Sequence, residues 1–214
     1  MISALIFDLD GTIANTEPLH YEAWRDTLLA NKVEEFPFET FLTYVGSSNE
    51  KVAGDYIASH KIDKSMTELI LQKQNLYMEL IPKIELCKGA KETICQFSSQ
   101  LKLAVASSSH EKEVREILKV NGLLDHFQAI LCGDMISRKK PDPEIYLKAA
   151  AALDVAPENC IAFEDSGPGL NGAKNGNLIG IAIPNEFTKN HDFSRADSIL
   201  KDFTEVTEEF IHSF

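Results

Sequence analysis

The chain has 214 residues, 44% of them hydrophobic, which is enough to bury a sizeable core and too apolar for a disordered segment. A formal net charge of -12 repels nucleic acid, and it obliges any phosphate site to bring its own metal ion or local lysine. Cys87, Cys95, Cys132 and Cys160 lack CxxC spacing, which excludes a zinc or disulfide framework, and no stretch approaches the about 20 apolar residues of a membrane span.

The apolar run at the start is broken by Asp8 too early for a signal peptide. A soluble, cytoplasmic protein with reduced thiols is expected, a monomer with neither nucleic acid nor membrane as partner.

The segment 2–12 opens as a strand and ends in Asp8-Leu9-Asp10-Gly11-Thr12. A helix follows, with Thr16 at its N-cap, Glu17 and Pro18 in the first turn, and a stripe of Leu19, Ala23, Trp24, Leu28 and Leu29 up to about Ala30. Helices are predicted over 38–44, 49–59 and 65–80, separated by breaks at 46–48 and 61–63. Such a helical stretch straight after a strand-helix start predicts a separate subdomain over 15–83, with hinges near 12–15 and 81–86 where Pro82 stops the helix. Residues 1–14 and 84–214 then form the other domain.

From Gly89 onward the pattern alternates. Helices are predicted over 91–100, 110–120, 143–153, 167–175 and 204–212, and strands over 101–106, 129–131, 160–163, 178–183 and, weakly, 198–200. Asn121-Gly122 closes the second of these helices, and Asp142 with Pro143 opens the third. Alternating strands and helices imply right-handed βαβ units, hence an α/β, doubly wound, Rossmann-like parallel sheet.

Asp8 and Asp10 stand two apart at a strand's carboxyl end, so both point to one face where open parallel sheets hold their ligands. Ionised Asp8 is a ready nucleophile toward phosphorus and Asp10 can handle the proton, while Gly11 lets the backbone leave sharply. The same five residues also read as a plain strand and turn. Ser107-Ser108-Ser109-His110, between a strand and a helix, reads either as a phosphate cradle or as N-capping. Lys140 in Arg138-Lys139-Lys140-Pro141 is tied to a helix start, whereas Arg138 and Lys139 read as solvated.

Asp8-Leu9-Asp10-Gly11-Thr12 resembles the first motif of the haloacid dehalogenase superfamily of phosphatases and phosphomutases. Ser107, Lys140 before Pro141, and Glu164-Asp165 followed by Ser166-Gly167-Pro168-Gly169 match its other three motifs in order. The resemblance implies a Mg²⁺ ion held by Asp8, the backbone carbonyl of Asp10, and Asp165. Glu164 alternates away along the strand and is expected behind these ligands. It further implies that Ser107 and Lys140 stabilise the transferring phosphoryl group, that Ser108 helps bind substrate, and that the helical insertion is a cap.

Within the cap, Thr16, His20, Trp24, Gly46, Ser48 and Lys73 look like the β-phosphoglucomutase branch, implying substrate-binding roles. Two departures stand out. Asn49 occupies the place of an arginine that grips the second phosphate in those mutases, and Asn15 replaces a usual aspartate. A neutral amide cannot replace a bidentate guanidinium. The expectation is therefore a Mg²⁺-dependent phosphatase of small phosphate esters, such as sugar phosphates, working through an aspartyl-phosphate. A β-phosphoglucomutase is the rival, and a phospho-accepting receiver domain a more distant one.

Overall fold

The computed structural model describes residues 1–45 and 47–214. It divides into two compact units, one made of Met1–Asn15 with Glu85–Phe214, the other of Thr16–Ile84.

The first unit is built on a six-stranded parallel sheet. Its strands are β1 (Ala4–Phe7), β4 (Lys102–Ala106), β5 (Ala129–Leu131), β6 (Cys160–Glu164), β7 (Ile179–Ala182) and β8 (Ser198–Ile199), in the order β5-β4-β1-β6-β7-β8. β1 sits centrally, with Phe7 opposite Val105 on one side and Phe163 on the other. All four of its residues are buried, as expected of a strand covered on both faces. The chain runs outward from β1 to β4 and β5, then returns to the far side of β1 as β6, so the direction of travel reverses where β1 ends in Asp8. Such a reversal opens a crevice at the carboxyl ends of the strands.

The unit's helices are α5 (Ala90–Phe97), α6 (Glu111–Val120), α7 (Glu144–Ala152), α8 (Gly167–Asn175) and α9 (Glu208–His212). α7 lays Ile145, Tyr146, Ala149 and Ala150 on a layer of small residues, Ala4, Ala104, Ala106 and Ala162. Elsewhere in the core, aromatic rings pack together: Phe7 stacks on Phe163 with centroids 5.1 Å apart, and Phe203 lies 5.9 Å from Phe7. α6 closes as the sequence predicts, with Gly122 at φ +68 following Asn121.

Two short pieces differ from the sequence reading. The expected hinges contain β2 (Ala14–Asn15) and β3 (Glu85–Leu86), which pair antiparallel, Ala14 opposite Leu86 and Asn15 opposite Glu85. The expected helix 204–212 is broken into a 3-10 turn, Phe203–Glu205, and α9, because Asp202 and Thr207 each cap a separate N-terminus.

The second unit contains α1 (Glu17–Ala30), α2 (Phe38–Leu42), α3 (Asn49–His60) and α4 (Met66–Leu80). Ser65 and Glu68 form a reciprocal capping box at the start of α4, and Ser48 caps α3 by accepting from Lys51 N. Trp24, Leu28, Phe36, Phe41, Val52, Tyr56 and Leu69 make its core. Leu29, expected in the buried stripe of α1, is instead exposed, because Leu28 already occupies the inward position. Thr16 stands at the N-cap of α1 but in helical backbone geometry, so its side chain makes no capping bond.

Candidate active site

Asp8, immediately after β1, meets Lys140 across 2.6 Å. Lys140 reaches it because the segment before α7 is fastened by Glu144, whose carboxylate accepts from Ser137 N (3.1 Å) and Arg138 N (2.9 Å). Lys140 Nζ also donates to Glu164 Oε1 (2.6 Å) and to the Ala106 carbonyl (3.0 Å), so its three N–H groups have three acceptors. Arg138 is exposed and pairs with Asp142 and Glu144, and Lys139 is exposed too.

Glu164 corrects the sequence reading. It was expected to point away, yet its carboxylate is wholly buried beside Asp8, taking Lys140 and the Tyr146 hydroxyl on Oε1 and the Ser166 hydroxyl on Oε2 (2.9 Å). Strand alternation stops being a guide here because β6 ends at Glu164 and Asp165 already lies beyond it. Oxygens of Asp8, Glu164 and Asp165 lie within 4.8 Å of one another.

Asp10 is arranged differently. Its Oδ2 accepts from Ser107 Oγ (2.9 Å) and Ser109 Oγ (2.8 Å), and its buried Oδ1 has no hydrogen-bond partner among the described residues. The Asp10 side chain is not among the carboxylates of the metal-type group, and the donor expected of Asp10 is its backbone carbonyl. Ser107 is fully buried, and its Oγ also accepts from Ser109 N (3.0 Å); Ser108 is exposed. None of the three serines caps α6, whose first N–H is taken by Asp134 at 3.3 Å.

Electrostatics follow from burial. Desolvation pushes Asp8 up to about 8, with Lys140 opposing and Glu164 and Asp10 adding to it; burial, then Asp8 and Glu164, likewise raises Asp165 well above the carboxylate range. Burial works against charge on Lys140, but Asp8 and Glu164 outweigh it and hold its pKa well above that of a free lysine. Three buried carboxylates crowd against one ammonium in an all-oxygen donor set, and burial favours their protonated forms until a cation replaces the protons. That set suits a hard divalent cation such as Mg²⁺.

In the helical unit, His20 Nδ1 lies 2.8 Å from Lys73 Nζ, and the imidazole stacks on Tyr77 at 4.2 Å with rings 5° from parallel. Burial and then the Lys73 charge lower the His20 pKa well below its usual value, so the ring is neutral and Nδ1 accepts from the ammonium. Trp24, expected at substrate, is instead 2% exposed in the unit's apolar core, where truncation of an aromatic costs about 3–5 kcal/mol. Thr16 Oγ1 is buried without a partner among the described residues, and Asn49 opens α3 half-buried. Gly46 lies outside the described residues.

Sequence reasoning missed Ser109, Tyr146 and Asn185. Ser109 could have been found as the third hydroxyl past the strand tip, two residues beyond Ser107. Tyr146 and Asn185 act across the fold, Asn185 reaching Asp165 at 2.8 Å, and nothing in their local sequence marks them.

The haloacid dehalogenase-like hydrolase profile matches residues 5–183. The chain is 33% identical over 217 residues to protein CbbY of Rhodobacter capsulatus, covering 95% of this chain and 94% of that protein. It is 29% identical to the β-phosphoglucomutase of Bacillus subtilis, covering 99% and 94%. The crystal structure of a CbbY aspartate-to-asparagine variant from Rhodobacter sphaeroides, in complex with xylulose-(1,5)bisphosphate, superposes with a TM-score of 0.85 at 31% identity, covering 96% of each chain. With four motifs gathered at the carboxyl edge of one parallel sheet and that profile spanning most of its length, the chain belongs to the haloacid dehalogenase-like hydrolase family.

Proposed function

We propose that the protein is a Mg²⁺-dependent phosphatase of small phosphorylated sugars, acting through a phosphoryl group carried on Asp8. The observation that carries this reading is the placement of two aspartates in different environments. Asp8 is paired with Lys140 inside an acidic group, while Asp10 is held by Ser107 and Ser109 with one oxygen left over. Separate environments for two carboxylates are how one site divides nucleophile from acid.

An Asp8 oxygen attacks phosphorus and the bond to the sugar oxygen breaks, with Asp10 delivering a proton to that leaving oxygen. Asp10 then takes a proton from water, whose oxygen attacks phosphorus; the bond to Asp8 breaks and inorganic phosphate leaves. Lys140 offsets negative charge on Asp8 and on the transferring group, and Glu164 with the Ala106 carbonyl keeps it in place. Ser107 and Ser109 orient Asp10; a grip of Ser107 on the phosphoryl group would require it to release that bond. A Mg²⁺ ion held by Asp8, Asp165 and the Asp10 carbonyl would neutralise phosphoryl oxygens and favour the ionised nucleophile.

We assign choice of leaving group to the helical unit, with His20, Lys73 and Asn49 as the residues concerned. The xylulose bisphosphate bound to the Rhodobacter sphaeroides relative supports a sugar phosphate as substrate. The Bacillus subtilis mutase supports a second reading, phosphoryl return to a sugar, which Asn49 disfavours because it cannot grip a second phosphate as an arginine does. Phosphate release from a panel of sugar monophosphates, run beside conversion of β-glucose 1-phosphate with a bisphosphate primer, separates the two. Release that requires Mg²⁺ and stops reversibly in chelator is expected; efficient conversion with little release would install the mutase reading.

A further inference from the structure

The loop after β7 carries Asn185, whose Nδ2 donates to Asp165 Oδ2 (2.8 Å) and to the Gly11 carbonyl (3.3 Å). At the other end of the amide, Oδ1 accepts from Phe187 N (2.9 Å), Thr188 N (3.2 Å) and Thr188 Oγ1 (3.3 Å). Backbone N–H groups only donate, and a carboxylate oxygen and a carbonyl only accept, so the amide's orientation is fixed from both sides. Asn185 thereby links three strand-tip segments: Gly11 after β1, Asp165 after β6 and its own loop after β7.

The space around this link is closed. Gly11 has φ +79, and a Cβ there would stand 2.4 Å from Asp165 Oδ2 and 2.7 Å from Asn185 Nδ2. Oδ2 of Asp165 is therefore occupied by Asn185 and walled by the Gly11 backbone, which leaves Oδ1 as the oxygen it can offer to a ligand.

We infer that Asn185 is a positioning residue for the divalent cation: by holding Oδ2 it presents Oδ1 of Asp165 to the centre that also contains Asp8. This rests on the Mg²⁺ reading above. A carboxylate whose second oxygen is already hydrogen-bonded has less rotational freedom to lose when the cation arrives, and partners of this kind are typically worth about 10–100-fold in metal affinity.

Calorimetric titration of Mg²⁺ into the metal-free protein, without substrate, tests it. Asn185→Ala is expected to bind about tenfold more weakly than wild type. Asn185→Ser retains a hydroxyl for the turn donors but is too short to reach Asp165, so it should show the same loss if the alanine variant fails to fold. Thr188→Ala removes the two turn bonds made by the Thr188 hydroxyl and keeps the Asp165 contact; it should have a lowered melting temperature and bind Mg²⁺ like wild type. If the Asn185 variants bind as tightly as wild type while Asp165→Ala does not bind, the inference falls and the metal site stands. Equal weakening in Thr188→Ala reduces Asn185 to a loop-structuring role and also overturns it. A wild type that binds no Mg²⁺ overturns both readings.

Discussion

Lys140 is the residue on which the local chemistry turns, because its ammonium is surrounded by Asp8, Glu164 and the Ala106 carbonyl with no N–H to spare. Removing one partner of such a buried pair leaves a buried charge uncompensated, so substitutions at Asp8 or Lys140 change stability together with the catalytic roles proposed for them. Asp10 is a cleaner probe. In Asp10→Asn the side-chain carbonyl can still accept from Ser107 and Ser109, while the carboxyl proton chemistry is gone. Turnover of a sugar monophosphate is expected to fall about 10²–10⁴-fold with the melting temperature little changed. Equal steady-state rates in the two proteins would assign the proton transfers to another group.

At the scale of elements, the segment that delivers Lys140 is only as firm as its attachment to α7. Glu144, in the first turn of that helix, holds it through Ser137 N and Arg138 N. Lys148 first, then the Ser137 N–H, hold the Glu144 pKa down to about 2 from an ordinary 4.5. A depressed carboxylate contributes stability that is fully present above the ordinary pKa and lost as pH falls toward the folded one. The stability gap between wild type and Glu144→Gln, read from urea melts, should be constant above about pH 4.5 and close toward pH 2. A gap unchanged at the acid end would mean that Glu144 acts by packing alone.

Elements with strong periodicity or punctuation were legible in the sequence, and those without were not. α8 spans the expected 167–175, with Ser166 capping its start, and α4 follows the expected break at 61–63, with Ser65 and Glu68 forming a reciprocal cap. β2 and β3 have two residues each, too few for an alternation to show. The helix expected over 204–212 is interrupted at Val206, and Thr207 caps a new start. Asp8, Asp10 and Lys140 were legible as candidates because they follow an apolar run or stand by a helix start, and Asp165 through the motif it resembles. Glu164's direction, the serine pair on Asp10 and Asn185 depend on partners 18 to 174 residues away, which no local pattern encodes.

At the scale of the whole molecule, the parallel sheet converts sequence distance into proximity. Asp8, Ser107 and Asp165 follow β1, β4 and β6, three adjacent strands pointing the same way, and Lys140 arrives with the helix that packs over them. The net charge of -12 would keep phosphate esters away from such a surface, and Lys140 is the buried cation at its centre. The central claim is that these segments make one phosphoryl-transfer centre with Asp8 as the carrier of the phosphoryl group. The direct measurement is to mix the wild-type protein with a radiolabelled sugar phosphate, quench in acid within a turnover, reduce with borohydride and map the product by mass spectrometry. The account predicts a transient acid-stable, base-labile phosphoprotein whose reduction converts residue 8 alone to homoserine. Label on another residue, or phosphate release with no phosphoprotein at any quench time, would contradict it.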